Sequence, residues 1–239
     1  MTLITAWITP KFRIIASDSK ASFRDGKETA ICRKIFANNR VAVGIYGGSI
    51  EQERNLLEDF FLENPDTEMM ALKAFLNEKI RHKRDDSHFV ILPLKGVPRI
   101  WVKKANKASH GSKLETYKKQ NQKNLPPDIF FSEVQAKETG AIDYCYQDKL
   151  LQQFYKSKRE VEFDGAIVTE VAILRLFRHF YSAVFYDPSL YQRIIEGKIF
   201  LAFSINNQPW KTADTEAIPK DKYDEDQLIG FLTSRSSNN

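Results

Sequence analysis

The chain has 239 residues, with 36 Lys plus Arg against 31 Asp plus Glu and a formal net charge of +5. Hydrophobic residues make up 42% and charged residues 28%, which excludes a disordered, collagen-like or coiled-coil chain. The length supports a sizeable core, and a single domain over 1–239 is expected. Two cysteines, Cys32 and Cys145, exclude a disulfide framework or a structural zinc site. Four histidines, His82, His88, His110 and His179, show no paired ligand spacing, so neither metal nor cofactor is expected.

The basic excess is local. Residues 103–124 carry seven lysines against one acidic residue, a net +6 that leaves −1 on the other 217 residues. This stretch lacks periodicity and reads as a lysine-rich insertion or solvated loop over 103–126. It contains one aromatic residue, Tyr117, and no arginine, so a nucleic-acid partner is not expected. No charged segment precedes a long apolar run at the N-terminus, and Glu170, Arg175, Arg178 and His179 interrupt the most apolar later stretch. No membrane association and a cytoplasmic, reducing location are expected.

In chain order, Thr2 to Thr9 and Phe12 to Ser17 predict two strands joined across Pro10. Asp25-Gly26 predicts a turn, Thr29 to Ala37 a third strand, Asn38-Asn39 a second turn, and Arg40 to Tyr46 an apolar strand ending at Gly47-Gly48. Ser49 with Gln52 forms a capping box for a helix carrying Leu57, Phe60 and Phe61. After Asn64-Pro65, the spacing of Met69, Leu72, Leu76 and Ile80 predicts a second helix. His88 to Leu94 and Pro98 to Val102 predict a strand pair across Lys95-Gly96. A short strand over Ile129 to Val134, helices near 141–158 and 166–184, and a strand over Lys198 to Ile205 follow. Residues 206–239 read as a loosely attached C-terminal extension with one short helix near 223–232. Helices in adjacent pairs between groups of strands do not fit a βαβ alternation; they fit an α+β sandwich of antiparallel sheets covered by helix pairs.

Four positions near the N-terminus suggest chemistry. Removal of Met1, favoured by the small side chain of Thr2, leaves a threonine whose free α-amine lies beside its hydroxyl, a nucleophile with its own base. The α-amine has a reference pKa of roughly 7.7–8.0, and a nearby cation lowers it. Arg33 and Lys34 are adjacent in an alternating segment, so one of them faces inward or into a cleft. A buried lysine requires a carboxylate, and Asp18 stands at the tip of the second strand. Gly48, before a helix, offers a backbone N–H to an oxyanion. Taken singly, Thr2 is a permissive start residue, Asp18 a turn residue or cap, Lys34 a solvated strand residue and Gly47-Gly48 a tight turn. The joint spacing is what distinguishes them.

The runs Thr2-Leu3-Ile4-Thr5-Ala6, Ala16-Ser17-Asp18-Ser19-Lys20, Arg33-Lys34-Ile35 and Gly47-Gly48 resemble the proteasome β-subunit type of N-terminal-nucleophile hydrolases. The resemblance is carried by residues 1–62 and extends in element order to about 205. It implies a four-layer αββα sandwich. It also implies that Thr2 is the nucleophile, Asp18 the partner of Lys34, and Gly48 the oxyanion donor. Asp187 and Ser189, in Tyr186-Asp187-Pro188-Ser189, loosely match the Asp and Ser that complete such a site. The run from Asp187 through Gly197 is more similar to the bacterial ancestral-β-subunit (Anbu) branch. Lys20 departs from the arginine common in the family, the lysine-rich stretch is longer than usual, and Phe131-Ser132-Glu133 replaces a Gly-Ser-Gly.

By the same resemblance Ala21, Cys32, Tyr46 and Ile50 line a substrate pocket, Tyr46 limits its depth and Arg54 favours an acidic group. The expected function is a threonine-type peptidase acting on peptide or protein substrates within a homo-oligomeric ring or open spiral. The alternative is a catalytically inactive structural subunit of such an assembly.

Overall fold

The computed structural model describes residues 3–22, 29–46, 50–83, 86–96, 98–103, 115–117, 129–133, 144–187 and 198–224. Strands β1 (Leu3–Ile8) and β2 (Phe12–Asp18) form the expected hairpin. At Pro10 its turn is held by the Thr9 hydroxyl, which accepts from the N–H groups of Lys11 and Phe12 at 3.2 and 3.0 Å. β3 (Lys20–Ser22) and β4 (Thr29–Ile31) make a separate two-stranded ribbon. β5 (Ile35–Ala37) and β6 (Val41–Tyr46) turn at Asn38, whose Oδ1 accepts from Arg40 and Val41 N–H, both at 2.8 Å. Helices α1 (Ile50–Glu63) and α2 (Met69–Ile80) follow. Then come β7 (Ser87–Pro93), β8 (Arg99–Lys103), β9 (Glu115–Tyr117) and β10 (Ile129–Glu133). The chain continues through α3 (Tyr144–Glu160), α4 (Glu170–Tyr186), β11 (Lys198–Ile205) and β12 (Lys211–Glu216). Thr169 caps α4, its side chain accepting from Ala172 N–H at 3.2 Å.

The strands form two five-stranded antiparallel sheets. The first has the order β10-β1-β2-β11-β12 and the second β5-β6-β7-β8-β9. Period-two alternation sorts their side chains into three apolar clusters. Leu3 and Trp7 of β1, Phe12, Ile14 and Ala16 of β2, and Ile199, Leu201 and Phe203 of β11 pack with Leu150 and Phe154 of α3 and Ile173, Phe177 and Tyr181 of α4. The alternate residues Ile4, Ala6, Ile15, Phe200 and Ala202 meet Ile35, Ala42, Val90 and Leu92 of the second sheet. The outer face of that sheet, with Val41, Val43, Ile45, Phe89, Ile91 and Trp101, receives Leu57, Phe60, Leu72, Leu76 and Ile80 from α1 and α2. The central strands read as apolar runs because both of their faces are covered.

Three expectations need correction. The segment 29–37 is not one strand: it breaks at Cys32–Lys34, after which Lys34, Ile35 and Phe36 are buried in succession. Cys32 N–H donates to Ser19 O at 2.7 Å, and Lys34 O accepts from Ile45 N–H at 2.9 Å, so the break hands the chain from the ribbon to the second sheet. A strand is also present beyond Ile205. β12 is the edge of the first sheet, reached through the connection 206–210, which opens with Asn206 and Asn207 at φ 52° and 58° in a turn closed by Gln208 N–H donating to Ile205 O at 3.0 Å. Its alternation is polar because the edge strand is largely exposed. Finally, Lys103, at the head of the lysine-rich stretch, is fully buried and donates to Lys83 O. Glu115–Tyr117 pairs with β8, while the rest of 104–126 lies outside the described residues, as do the Asp25-Gly26 turn, Ser49, and 225–239. A one-turn helix occupies 220–224.

At Gly44 the core between the sheets is packed against bare backbone. A Cβ there would stand 2.8, 3.0 and 3.3 Å from the Cδ1 atoms of Ile4, Ile15 and Ile35, all buried. Gly44→Val is expected to destabilise the protein by about 1–3 kcal/mol in urea denaturation, because an overpacked core must displace side chains that have nowhere to go.

Candidate functional site

Asp18 ends β2 in the first sheet, and Lys34 immediately precedes β5 in the second. Lys34 Nζ donates to Asp18 Oδ2 at 2.8 Å, and both side chains are fully buried. The other carboxylate oxygen, Oδ1, accepts from Leu3 N–H at 3.0 Å. That N–H belongs to the rigid peptide bond joining Thr2 to Leu3, so Asp18 holds the second sheet's cation and the start of β1 together. A carboxylate with both oxygens engaged by charge-assisted or backbone donors satisfies the requirement that a buried charge be paired.

Tyr181 approaches the same strand start from α4. Its hydroxyl donates to Ala16 O at 2.9 Å and lies 3.3 Å from both Leu3 O and Thr5 Oγ1. Burial, more than the nearby Asp18 charge, raises its pKa well above the ordinary tyrosine value, so the phenol stays a donor. Nothing in the sequence distinguished its hydroxyl.

Cys32 is buried at the chain break. Desolvation pushes its thiol up, outweighing the opposing influence of Arg54 and Lys34. The thiol is therefore held protonated rather than activated as a nucleophile. Arg54 is also hydrogen-bonded to Asn55 Oδ1, at 3.2 Å through Nε and 3.1 Å through Nη2. Ile50, the first residue of α1, is half-buried against the second sheet's outer cluster. Asp187 is the C-cap of α4, its N–H donating to Ala183 O at 3.1 Å. Thr2, Gly48 and Ser189 lie outside the described residues, as do the side chains of Ala21 and Tyr46. His179 is buried with Nε2 at 3.5 Å from Glu160 Oε2; His82 is exposed, His88 half-buried on β7, and His110 outside the described residues. Among the described residues no group of three His, Cys, Asp or Glu converges to hold a metal, and no helix is long and apolar enough to cross a membrane.

One buried charge was not marked by the sequence. Glu53, on the inward face of α1, accepts from Ser87 Oγ at 2.5 Å and Lys83 Nζ at 3.2 Å. Burial raises its pKa from the ordinary 4.5, outweighing Lys83 and Ser87, which lower it.

Two outcomes follow from these buried charges. Lys34→Met leaves Asp18 buried without its cation and is expected to cost about 3–5 kcal/mol in urea denaturation, whereas the double variant Asp18→Asn/Lys34→Met recovers much of that loss. For Glu53, the unfolded chain releases its proton at the ordinary value while the folded chain retains it, so this group lowers stability as pH rises through that window. Glu53→Gln lacks this slope. Its Tm relative to the wild type should become more positive as pH rises from below 4.5 to above the folded value; a pH-independent difference would contradict the assignment.

No protein-family model matches the chain, and no curated protein matches it. Among solved structures it is similar to an Anbu (Gly-1) mutant from Hyphomicrobium sp. strain MC1, at 9% sequence identity and a TM-score of 0.49, over 100% of this chain and 97% of that chain. A likeness of that strength transfers no activity, assembly or site residue to this chain.

Proposed function

We propose that the protein is a threonine-type peptidase that uses Thr2, exposed by removal of Met1, as its nucleophile. The observation that carries this reading is the buried Asp18–Lys34 pair, whose carboxylate also accepts the N–H of the peptide bond next to Thr2. A cation fixed beside a free α-amine favours the amine's neutral form, which is the form that accepts a proton. The buried pair is costly as a purely structural link, which favours a role in chemistry.

In the proposed cycle Thr2 Oγ attacks the amide carbonyl carbon, and its proton passes to the α-amine. The carbonyl oxygen becomes an oxyanion, stabilised by Gly48 N–H. The α-ammonium returns the proton to the departing amine, and an ester to Thr2 remains. Water, deprotonated by the α-amine, hydrolyses that ester and regenerates the hydroxyl. Asp18 and Lys34 position and tune the amine, Asp187 and Ser189 complete the network, and Ala21, Cys32, Tyr46 and Ile50 line the pocket for a peptide or protein substrate. Three apolar clusters alternating with two sheets and two helix pairs support a four-layer αββα sandwich. The proposed assembly is a homo-oligomer, as a ring or open spiral.

Intact-mass analysis is the direct test. The purified protein should lack Met1 and gain one adduct on treatment with a threonine-directed epoxyketone. Thr2→Ala should lose the adduct and lower kcat/KM on peptide amides by roughly 1,000-fold or more. Retention of Met1 together with full hydrolysis by Thr2→Ala would overturn the proposal; retention of Met1 with no hydrolysis would favour the inactive subunit.

A further inference from the structure

Ser17 and Arg33, which precede Asp18 and Lys34 in the chain, both neighbour Phe200. Ser17 is fully buried, and its hydroxyl has no hydrogen-bond partner among the described residues. It pairs with Phe200 across β2 and β11, and alternation places it with Ile15 on the face toward the second sheet. Directly opposed side chains on one face have Cβ atoms roughly 4.5–5.5 Å apart, so Ser17 and Phe200 are neighbours on that face. Arg33 reaches the same ring from the chain break, its guanidinium carbon 5.8 Å from the centroid. Arg33 is half-buried, and its Nε is buried without a hydrogen-bond partner. Lys34 is paired with Asp18, whereas among the described residues Arg33 meets no carboxylate.

A buried guanidinium N–H and a buried hydroxyl left without acceptors each carry an unrelieved desolvation cost, and one anion would relieve both. We propose that Arg33, Ser17 and Phe200 form a carboxylate-binding subsite. The planar carboxylate lies along the guanidinium edge, accepting from Nε–H and a terminal N–H, while Ser17 Oγ–H donates to one of its oxygens and the Phe200 ring forms the floor. A two-point match to a planar anion is the chemistry that the unpaired Nε offers. This inference rests on the peptidase reading for its substrate class: the ligand is a peptide with a carboxylate near the scissile bond, supplied by an acidic side chain or by a free C-terminus.

Binding and turnover are measured separately so that the two ideas fail separately. Isothermal titration with glutarate at low ionic strength should show binding to the wild type, weakened about tenfold or more in Arg33→Gln, severalfold in Ser17→Ala, and by an intermediate factor in Arg33→Lys, which keeps the charge but not the fork. Each variant's Tm is recorded, and Arg33→Lys serves if Arg33→Gln does not fold. Arg40→Gln, which alters an exposed guanidinium on the β5–β6 turn, should bind glutarate as the wild type does, and Arg54→Gln tests the competing guanidinium on α1. Hydrolysis is then compared for peptides with Glu or Gln, and with free or amidated C-termini. A preference for Glu that disappears in Arg33→Gln assigns the side chain, and a preference for the free terminus that disappears assigns the terminus. Loss of glutarate binding in Arg33→Gln with no peptide hydrolysed by the wild type would uphold the subsite and remove the peptidase reading. Equal glutarate binding by wild type and Arg33→Gln, dependence on Arg54 instead, or tighter binding of inorganic phosphate than of glutarate would overturn the subsite even if peptides are cleaved.

Discussion

The rest of the site depends on one carboxylate. Asp18 accepts Lys34 Nζ at 2.8 Å through one oxygen and Leu3 N–H at 3.0 Å through the other, with no exposure of either charged side chain. Apolar packing between the sheets is non-directional and tolerates small shifts of one sheet over the other. An ion pair in that setting does not, because a displaced partner leaves a bare charge in a medium where its solvation cost is several kcal/mol. The Asp18–Lys34 pair therefore fixes the relative placement of the two sheets at one end, and places the first residues of β1 at that same point. Tyr181 adds a third element, tying α4 to the start of β1 and to Ala16 O, two residues before Asp18 on β2.

Close approach of the sheets is what permits that contact. Lys34 stands one residue before β5, and the inter-sheet layer nearby is built from Ile4, Ile15, Ile35 and the bare backbone of Gly44. Position 44 has no side chain because three isoleucine Cδ1 atoms occupy the space one would take. The break at Cys32–Lys34 has a related cause. A continuous strand would alternate Lys34 and Ile35 between faces and send only one of them inward. Breaking the ladder lets Lys34 reach Asp18 while Ile35 still enters the inter-sheet core.

Much of the fold was legible because its signals are local. Thr9-Pro10, Asn38-Asn39 and Lys95-Gly96 turn the chain where turn chemistry says they should, with Gly96 at φ 106°. The helices carrying Leu57, Leu72, Leu76 and Ile173 follow their apolar periodicity. What escaped was set by tertiary context. β12 has the alternation of an edge strand but few apolar residues; its legible signal was Asn206-Asn207, a turn pair. Glu53 and Lys103 look like solvated charges in sequence, yet both are buried, because local pattern does not record which helix or strand end will be covered. At the site, the spacing pointed to Asp18 and Lys34 as a pair, but it could not supply the third contact to Leu3 N–H, which exists only once β1 and β2 are paired.

The neighbours Arg33 and Lys34 show how two like charges acquire different roles. The sequence left open which of them would turn inward. In the structure Lys34 is fully buried and Arg33 half-buried, so both leave the solvent to some degree. Among the described residues, Lys34 meets a carboxylate and Arg33 meets an aromatic face, which attracts a cation but accepts no ordinary hydrogen bond at Nε. A lysine is suited to the first position, a point charge directed at one oxygen, and an arginine to the second, where its planar guanidinium lies over the Phe200 ring. The fold thus satisfies one cation internally and leaves its neighbour with unfilled donor geometry. That asymmetry, rather than the net charge of +5, is where an acidic ligand finds its complement.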